Sequence, residues 1–174
     1  MRGLWRSWMF EDSSMRFLKV IGLLWLMSAP AHAQVDVTKR ATVFPGPYPA
    51  EILRVIDGDT VAVSVALWPG LRAEYSVRIR GIDAPEIFRP DCEDEREWGL
   101  EAKAQVERLY PEGREVEIRN VSYDAFSGRV VADVFRWRSD RWLSLANELI
   151  ERNLAVEWVP GQANVPWCLL AATR

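Results

Sequence analysis

Two short acidic segments, Asp57-Gly58-Asp59-Thr60 and Arg78-Ile79-Arg80-Gly81-Ile82-Asp83-Ala84-Pro85-Glu86, flank a pair of hydrophobic runs and bring carboxylates close to an arginine along the chain. Carboxylates gathered around a hard cation, with a guanidinium beside them, suit metal-assisted attack on a phosphate ester. The chain contains a single histidine, His32, in a segment with the features of a removable leader. Chemistry in the mature protein is therefore expected to run on carboxylate, guanidinium, hydroxyl and metal.

The elements around these segments decide whether the carboxylates meet. Asp57-Gly58 is first of all a turn signal between strands. Asp59 opens the next strand, where a carboxylate has low propensity and needs a reason. Val61, Val63, Val65 and Leu67 alternate with Ala62, Ser64 and Ala66, the period-two pattern of a half-buried strand, which Trp68-Pro69-Gly70 ends. A second alternating run puts Tyr75, Val77 and Ile79 on one face and Ser76, Arg78 and Arg80 on the other. Pairing through the turn sets the start of one strand beside the end of the other, so Asp59 and Asp83 can share one rim. Two carboxylates forced together repel unless a cation lies between them. An all-oxygen site points to calcium or magnesium rather than zinc or copper. For either carboxylate alone, neutralisation by an arginine is an equal alternative.

Beyond Glu86 the sequence predicts an acidic loop over 91–97 and a helix carrying Trp98, Ala102, Val106 and Leu109 at helical spacing, stopped by Pro111 and Gly113. Strands over 115–122 and 129–137 flank a loop over 123–128. A second helix over 143–152 ends at Asn153 as a left-handed cap. Three strands, helix, two strands, helix is a mainly β chain with helices (α+β), compatible with a closed five-stranded barrel of the oligonucleotide-binding type, the OB-fold.

At the N-terminus, Arg16 and Lys19 precede the apolar stretch from Val20 to Met27, followed by Ala31-His32-Ala33. Charge, apolar run and small-residue cleavage site read as a secretory signal over 1–33, too short for a permanent membrane anchor. Met15 stands directly before the charged part and is read as an alternative start. The expected product is exported, periplasmic or secreted, with no stable membrane insertion. Residues 34–49 read as an irregular lead-in, 50–168 as one domain and 169–174 as a tail. Of the 174 residues 141 remain after cleavage; four basic and two acidic residues leave with the signal, moving the formal charge from −3 to −5. Nucleic-acid binders are often basic, and this chain is not, although a local arginine cluster can still act within an acidic protein. Cys92 and Cys168 are the two cysteines. In an oxidising compartment the pair reads as a disulfide; two thiolates without histidine make a poor zinc site. Closing so long a loop is worth roughly 4 kcal/mol in the chain-entropy description.

Asp57-Gly58-Asp59-Thr60, Arg78 five positions before Asp83, Asp83-Ala84-Pro85-Glu86 and Gly128-Arg129 opening a late strand together resemble the thermonuclease, or staphylococcal-nuclease-like, family. Each fragment is weak, but their order and spacing are specific, and the resemblance spans about residues 50–158. It implies the five-stranded OB-fold barrel. It further implies one calcium ion held by Asp59, Asp83 and the backbone carbonyl of Ala84, where the family usually has threonine. Glu86 matches the carboxylate that activates or positions the attacking water, and Arg78 and Arg129 match the arginines that grip the phosphate. The implied reaction is phosphodiester hydrolysis in DNA and RNA, leaving 3′-phosphate products, by a chain expected to act as a monomer. Taken alone, Arg129 reads as a surface salt bridge and Arg78 as a solvated strand arginine.

One departure is the run Asp91, Glu93, Asp94, Glu95 and Glu97, where the family is often lysine-rich. Such a run repels a polyanion and is expected to weaken binding of long DNA. The competing reading is a non-catalytic nucleic-acid-binding OB-fold module of the cell envelope, using aromatic platforms. Against it, the six tryptophans after the signal are spread along the sequence rather than clustered.

Overall fold

The structure, a computed structural model, describes residues 42–125 and 128–174. The expected signal, its cleavage site, His32 and Met15 lie outside the described residues. Five strands come first: Val43–Phe44 (β1), Tyr48–Val55 (β2), Thr60–Trp68 (β3), Leu71–Ile79 (β4) and Ile82–Asp83 (β5). Helix Glu93–Leu109 (α1) follows, then Glu115–Tyr123 (β6), Arg129–Arg138 (β7), Arg141–Ser144 (β8), helix Leu145–Ile150 (α2), Val156–Glu157 (β9) and helix Trp167–Ala171 (α3).

Strands β2, β3, β4, β7 and β6 pair in that order, and β6 returns to β2, so the sheet closes. All these pairings are antiparallel except β4 with β7. Closure removes the open edges that a five-stranded sheet would expose. The architecture is a five-stranded barrel of the oligonucleotide-binding type, the OB-fold. Its interior is filled by the residues that alternate along the strands, among them Ile52, Val61, Val63, Val77, Ile79, Ile118 and Val134, all nearly inaccessible. Helix α1 buries Trp98, Ala102 and Val106 in the same core, as their spacing predicts. Among the described residues no helix is long and apolar enough to cross a membrane.

Several local expectations change. The lead-in over 34–49 is not wholly irregular: β1 pairs with β6, and β2 already begins at Tyr48. The acidic stretch 91–97 is mostly helix, because α1 begins at Glu93; acidic side chains in a first turn oppose the positive end of the helix dipole. The second helix is shorter than 143–152 because Arg141–Ser144 pairs with β7 as an added strand. Asn153 does adopt the left-handed conformation, with φ of 55°. Leu67 and Tyr75 continue their alternation but are exposed, since they pass the end of the packed interior and line an open mouth with Phe44 and Tyr123. The tail is not featureless: α3 spans Cys168 and continues beyond it.

A buried polar network escaped the sequence reading. Arg136 points inward from β7 and meets Glu148 of α2 through Nε at 2.9 Å and through a second nitrogen at 2.5 Å. The Tyr110 hydroxyl donates to the same carboxylate at 2.9 Å. Burial opposes ionisation of Glu148, but donation from Arg136 and Tyr110 outweighs it and holds the carboxyl below its ordinary range.

Candidate active site

Asp59 immediately precedes β3, and Arg78 lies in β4 with Thr60 as its register partner. The barrel therefore sets Asp59 beside Arg78, and their side chains meet: the guanidinium donates to Asp59 Oδ1 at 2.6 Å. The same guanidinium donates to Asp83 Oδ1 at 2.8 Å. Asp83 ends β5, which is held by β9 through Asp83 opposite Val156. Asp59 also accepts from the Thr60 hydroxyl at 3.0 Å, and its Oδ2 accepts the Ala84 N–H at 3.0 Å. The two aspartates thus share one rim, with an arginine joining them.

Asp59 is 3 % exposed. Burial, together with the charges of Asp57 and Asp83, pushes its carboxyl up to about 7, against the pull of Arg78 and the Ala84 N–H. Burial works against the Arg78 charge, yet Asp59 and Asp83 more than offset it and raise the guanidinium further. Asp57, Asp59 and Asp83 thus gather around one guanidinium, three carboxyls to one arginine.

Gly58 has a role beyond turn formation. It is not in the left-handed region, and a Cβ there would lie 2.8 Å from the Ala84 methyl and 2.9 Å from that of Ala102. The absent side chain lets the Asp57–Asp59 turn, the Ala84 segment and α1 close on one another. Asp57 caps this turn by accepting the Asp59 N–H at 3.1 Å. Gly99 does the same for the next segment: a Cβ there would fall 2.6 Å from both the Pro85 carbonyl oxygen and Ile87 Cγ2.

Glu86 is exposed at the side of the same cleft, a space of about 330 Å³ that Asp59, Arg78, Asp83, Ala84 and Arg89 also line. Its Oε1 accepts the N–H groups of Ile87 at 2.8 Å and Phe88 at 2.7 Å. Its own N–H donates to Glu95 Oε1 at 3.2 Å, and Glu95 Oε2 accepts the Asp91 N–H at 2.8 Å. Glu95 is thus a buried support of the Glu86 loop, which takes it out of the set of charges expected to repel a polyanion. A glutamate at the third helical position after the N-cap Cys92 was the available signal.

Arg129 opens β7 opposite Ser76, two residues before Arg78 on β4. Side chains two apart share a face of a strand. Both arginines therefore belong to the outer face of the β4–β7 pair, while Val77 and Val130 turn to the core. Arg129 donates to Asp124, and it does not line the cleft around Asp59.

Cys92 and Cys168 are joined in a disulfide. Glu95 lies close to both sulfurs, but sulfurs in a disulfide are not thiolate ligands, so this group is no metal site. Trp167, next to Cys168, lines the cleft, where its indole N–H donates to Asp83 Oδ2 at 2.9 Å. Nothing in the sequence marked Trp167 beyond its place next to a cysteine.

No curated protein matches this chain. The family model described as staphylococcal nuclease homologue matches residues 76–165, a span that contains Arg78, Asp83, Ala84, Glu86 and Arg129 and runs from β4 through β9. A closed five-stranded barrel agrees with that match, and the chain belongs to the staphylococcal nuclease homologue family.

Proposed function

We propose that the protein is an exported, calcium-dependent nuclease that hydrolyses phosphodiester bonds in DNA and RNA to 3′-phosphate products. The observation that carries this reading is one guanidinium, Arg78, bridging two carboxylates in a cleft lined by more carboxylates than arginines. The donor set fits a hard cation: Asp59 and Asp83 carboxylates and the Ala84 carbonyl are all oxygen, and each carboxylate has lone pairs beyond the bonds it makes here. A calcium ion held by these three groups would supply Lewis acidity at the phosphate and a template for in-line attack.

The chain's own residues do the rest. Arg78 has five N–H donors, more than its contacts to Asp59 and Asp83 use, and its planar fork matches a phosphate. Arg129, on the same outer face, supplies a second fork to non-bridging oxygens as charge develops on them. Glu86, anchored by its own loop at the cleft side, takes the proton of the attacking water or orients it. The signal over 1–33 delivers the chain to the periplasm or outside the cell, where it works as a monomer.

A second reading, the non-catalytic binding module, is favoured by one observation. The tryptophans are not all dispersed: Trp137 and Trp142 are register partners across β7 and β8, edge-to-face with ring centres 5.2 Å apart, both exposed, and Arg119 lies over the Trp142 ring. Such a pair is a stacking platform. Incubation of purified protein with plasmid and with RNA, in calcium or in chelator, separates the readings. Calcium-dependent degradation that disappears in Glu86→Gln supports the nuclease; intact nucleic acid retarded in a gel supports the module.

A further inference from the structure

Helix α3 is five residues long and carries two side chains that reach the rest of the site. Trp167 is 4 % exposed, its ring stands edge-to-face on Trp98 at 5.0 Å, and its N–H reaches Asp83 Oδ2. An apolar ring would satisfy the packing; the donor is used by the carboxylate alone. The neighbouring Cys168 is bonded to Cys92, the N-cap of α1, three residues before Glu95. One covalent bond therefore ties the segment that holds Asp83 to the segment that holds the Glu86 backbone. A five-residue helix does not persist by itself in water, and α3 has no side-chain cap. It is held to α1 by the disulfide, the Trp167–Trp98 contact and the Arg174–Glu101 ion pair, of which only the disulfide is covalent.

We propose that Trp167 is a positioning residue for Asp83, kept in place by the Cys92–Cys168 disulfide, so that the cation affinity of the site depends on that bond. The proposal rests on Asp83 as a cation ligand. With Oδ1 on Arg78 and Oδ2 on Trp167, the carboxylate is fixed at both oxygens. Losing the indole bond frees it to rotate onto Arg78 and compete for the guanidinium. Outer partners that orient a ligating carboxylate commonly change metal affinity by about 10–100-fold. Reduction by a dithiol reaches the same state: two electrons and two protons pass to the disulfide, giving two thiols, and the reductant becomes its own disulfide.

Isothermal titration with calcium alone tests this on wild type, Trp167→Phe, Cys92→Ser/Cys168→Ser and dithiothreitol-reduced wild type. Phenylalanine keeps a ring against Trp98 and removes the donor together with some buried volume, for which the reduced wild type, with its indole intact, is the control. The expected result is a rise of about 10-fold or more in Kd for all three altered forms, with no further rise when Trp167→Phe is reduced. Wild-type Kd in Trp167→Phe and in the reduced protein overturns the proposal. Absence of calcium binding by the wild type overturns it together with the cation reading, whereas equal affinities across the series overturn only the role of the tail. Should Trp167→Phe fail to fold by circular dichroism, the reduced and double-serine proteins decide the matter. Hydrogen exchange at the Trp167 indole, without metal, is expected to be slow when oxidised and fast when reduced; equal rates count against the proposal.

Discussion

The guanidinium of Arg78 lies 2.6 Å from Oδ1 of Asp59, a carboxylate that the barrel buries almost completely. The residue proposed to grip phosphate is therefore also the counter-charge of a residue proposed to hold the cation. Arg78→Lys keeps a positive charge and loses the fork, so it should fold and lose about 10²–10³-fold in kcat. Arg78→Ala leaves Asp59 buried without its partner and should also lose about 3–5 kcal/mol of stability before metal is added. Thermal melts and turnover on a plasmid substrate check both; an Arg78→Lys protein with wild-type kcat would remove the phosphate role.

Gly99 sits inside a helix, where alanine ordinarily stabilises by about 0.5–1 kcal/mol. Here a methyl would press on the Pro85 carbonyl and Ile87, the two neighbours of Glu86. Gly99→Ala should reverse the usual sign and cost about 1–3 kcal/mol, with kcat falling as the Glu86 loop is displaced. A melting temperature raised by this substitution would show that the loop yields freely.

The acidic run divides into two kinds of residue. Asp91, Glu93, Asp94 and Glu97 are exposed, whereas Glu95 accepts the N–H groups of Glu86 and Asp91. Neutralising the four exposed residues should lower KM for long DNA, an effect that fades as salt approaches about 1 M, with a modest drop in melting temperature because Glu93 and Asp94 lie in the first turn of α1. Glu95→Ala should instead cost about 1–3 kcal/mol, as two backbone donors lose their acceptor, and lower kcat. Equal KM in both proteins would show that these charges do not reach the polyanion.

Glu148 supplies a pH dependence remote from the cleft. Its carboxyl is held below the ordinary value of 4.5 in the folded state. A depressed carboxyl contributes stability that is present above the unfolded value and is lost as pH falls through the folded one. Chemical denaturation between neutral and strongly acidic pH should show stability falling below that ordinary value. In Glu148→Gln the acid slope should be shallower, with lower stability at neutral pH because Arg136 stays buried without its counter-charge. An unchanged slope would assign the acid limb to other carboxylates.

Much of the fold was legible because valine alternation is a local property. Val61, Val63 and Val77 had to share one interior, and Trp98, Ala102 and Val106 had to share one helical face, whatever lay opposite. Asp59 was legible for a related reason: a carboxylate opening a strand breaks a local rule. Errors fell where the partner was distant. Leu143 and Ser144 read as helix until β7 offers Arg141–Ser144 a ladder, and no local pattern marks Arg136 for its buried pair with Glu148.

By itself the sequence determined the strand faces, the helical face of α1, the cysteine pair and the spacing of Arg78 from Asp83 and Glu86, since each depends on residue types a few positions apart. Tertiary structure alone decided that Arg78 bridges Asp59 and Asp83, that Glu95 holds the Glu86 loop, that Gly58 and Gly99 permit close approach, and that Trp167 returns across 84 residues to Asp83. Those contacts follow from barrel closure and one disulfide, which join chain segments whose meeting no local pattern records.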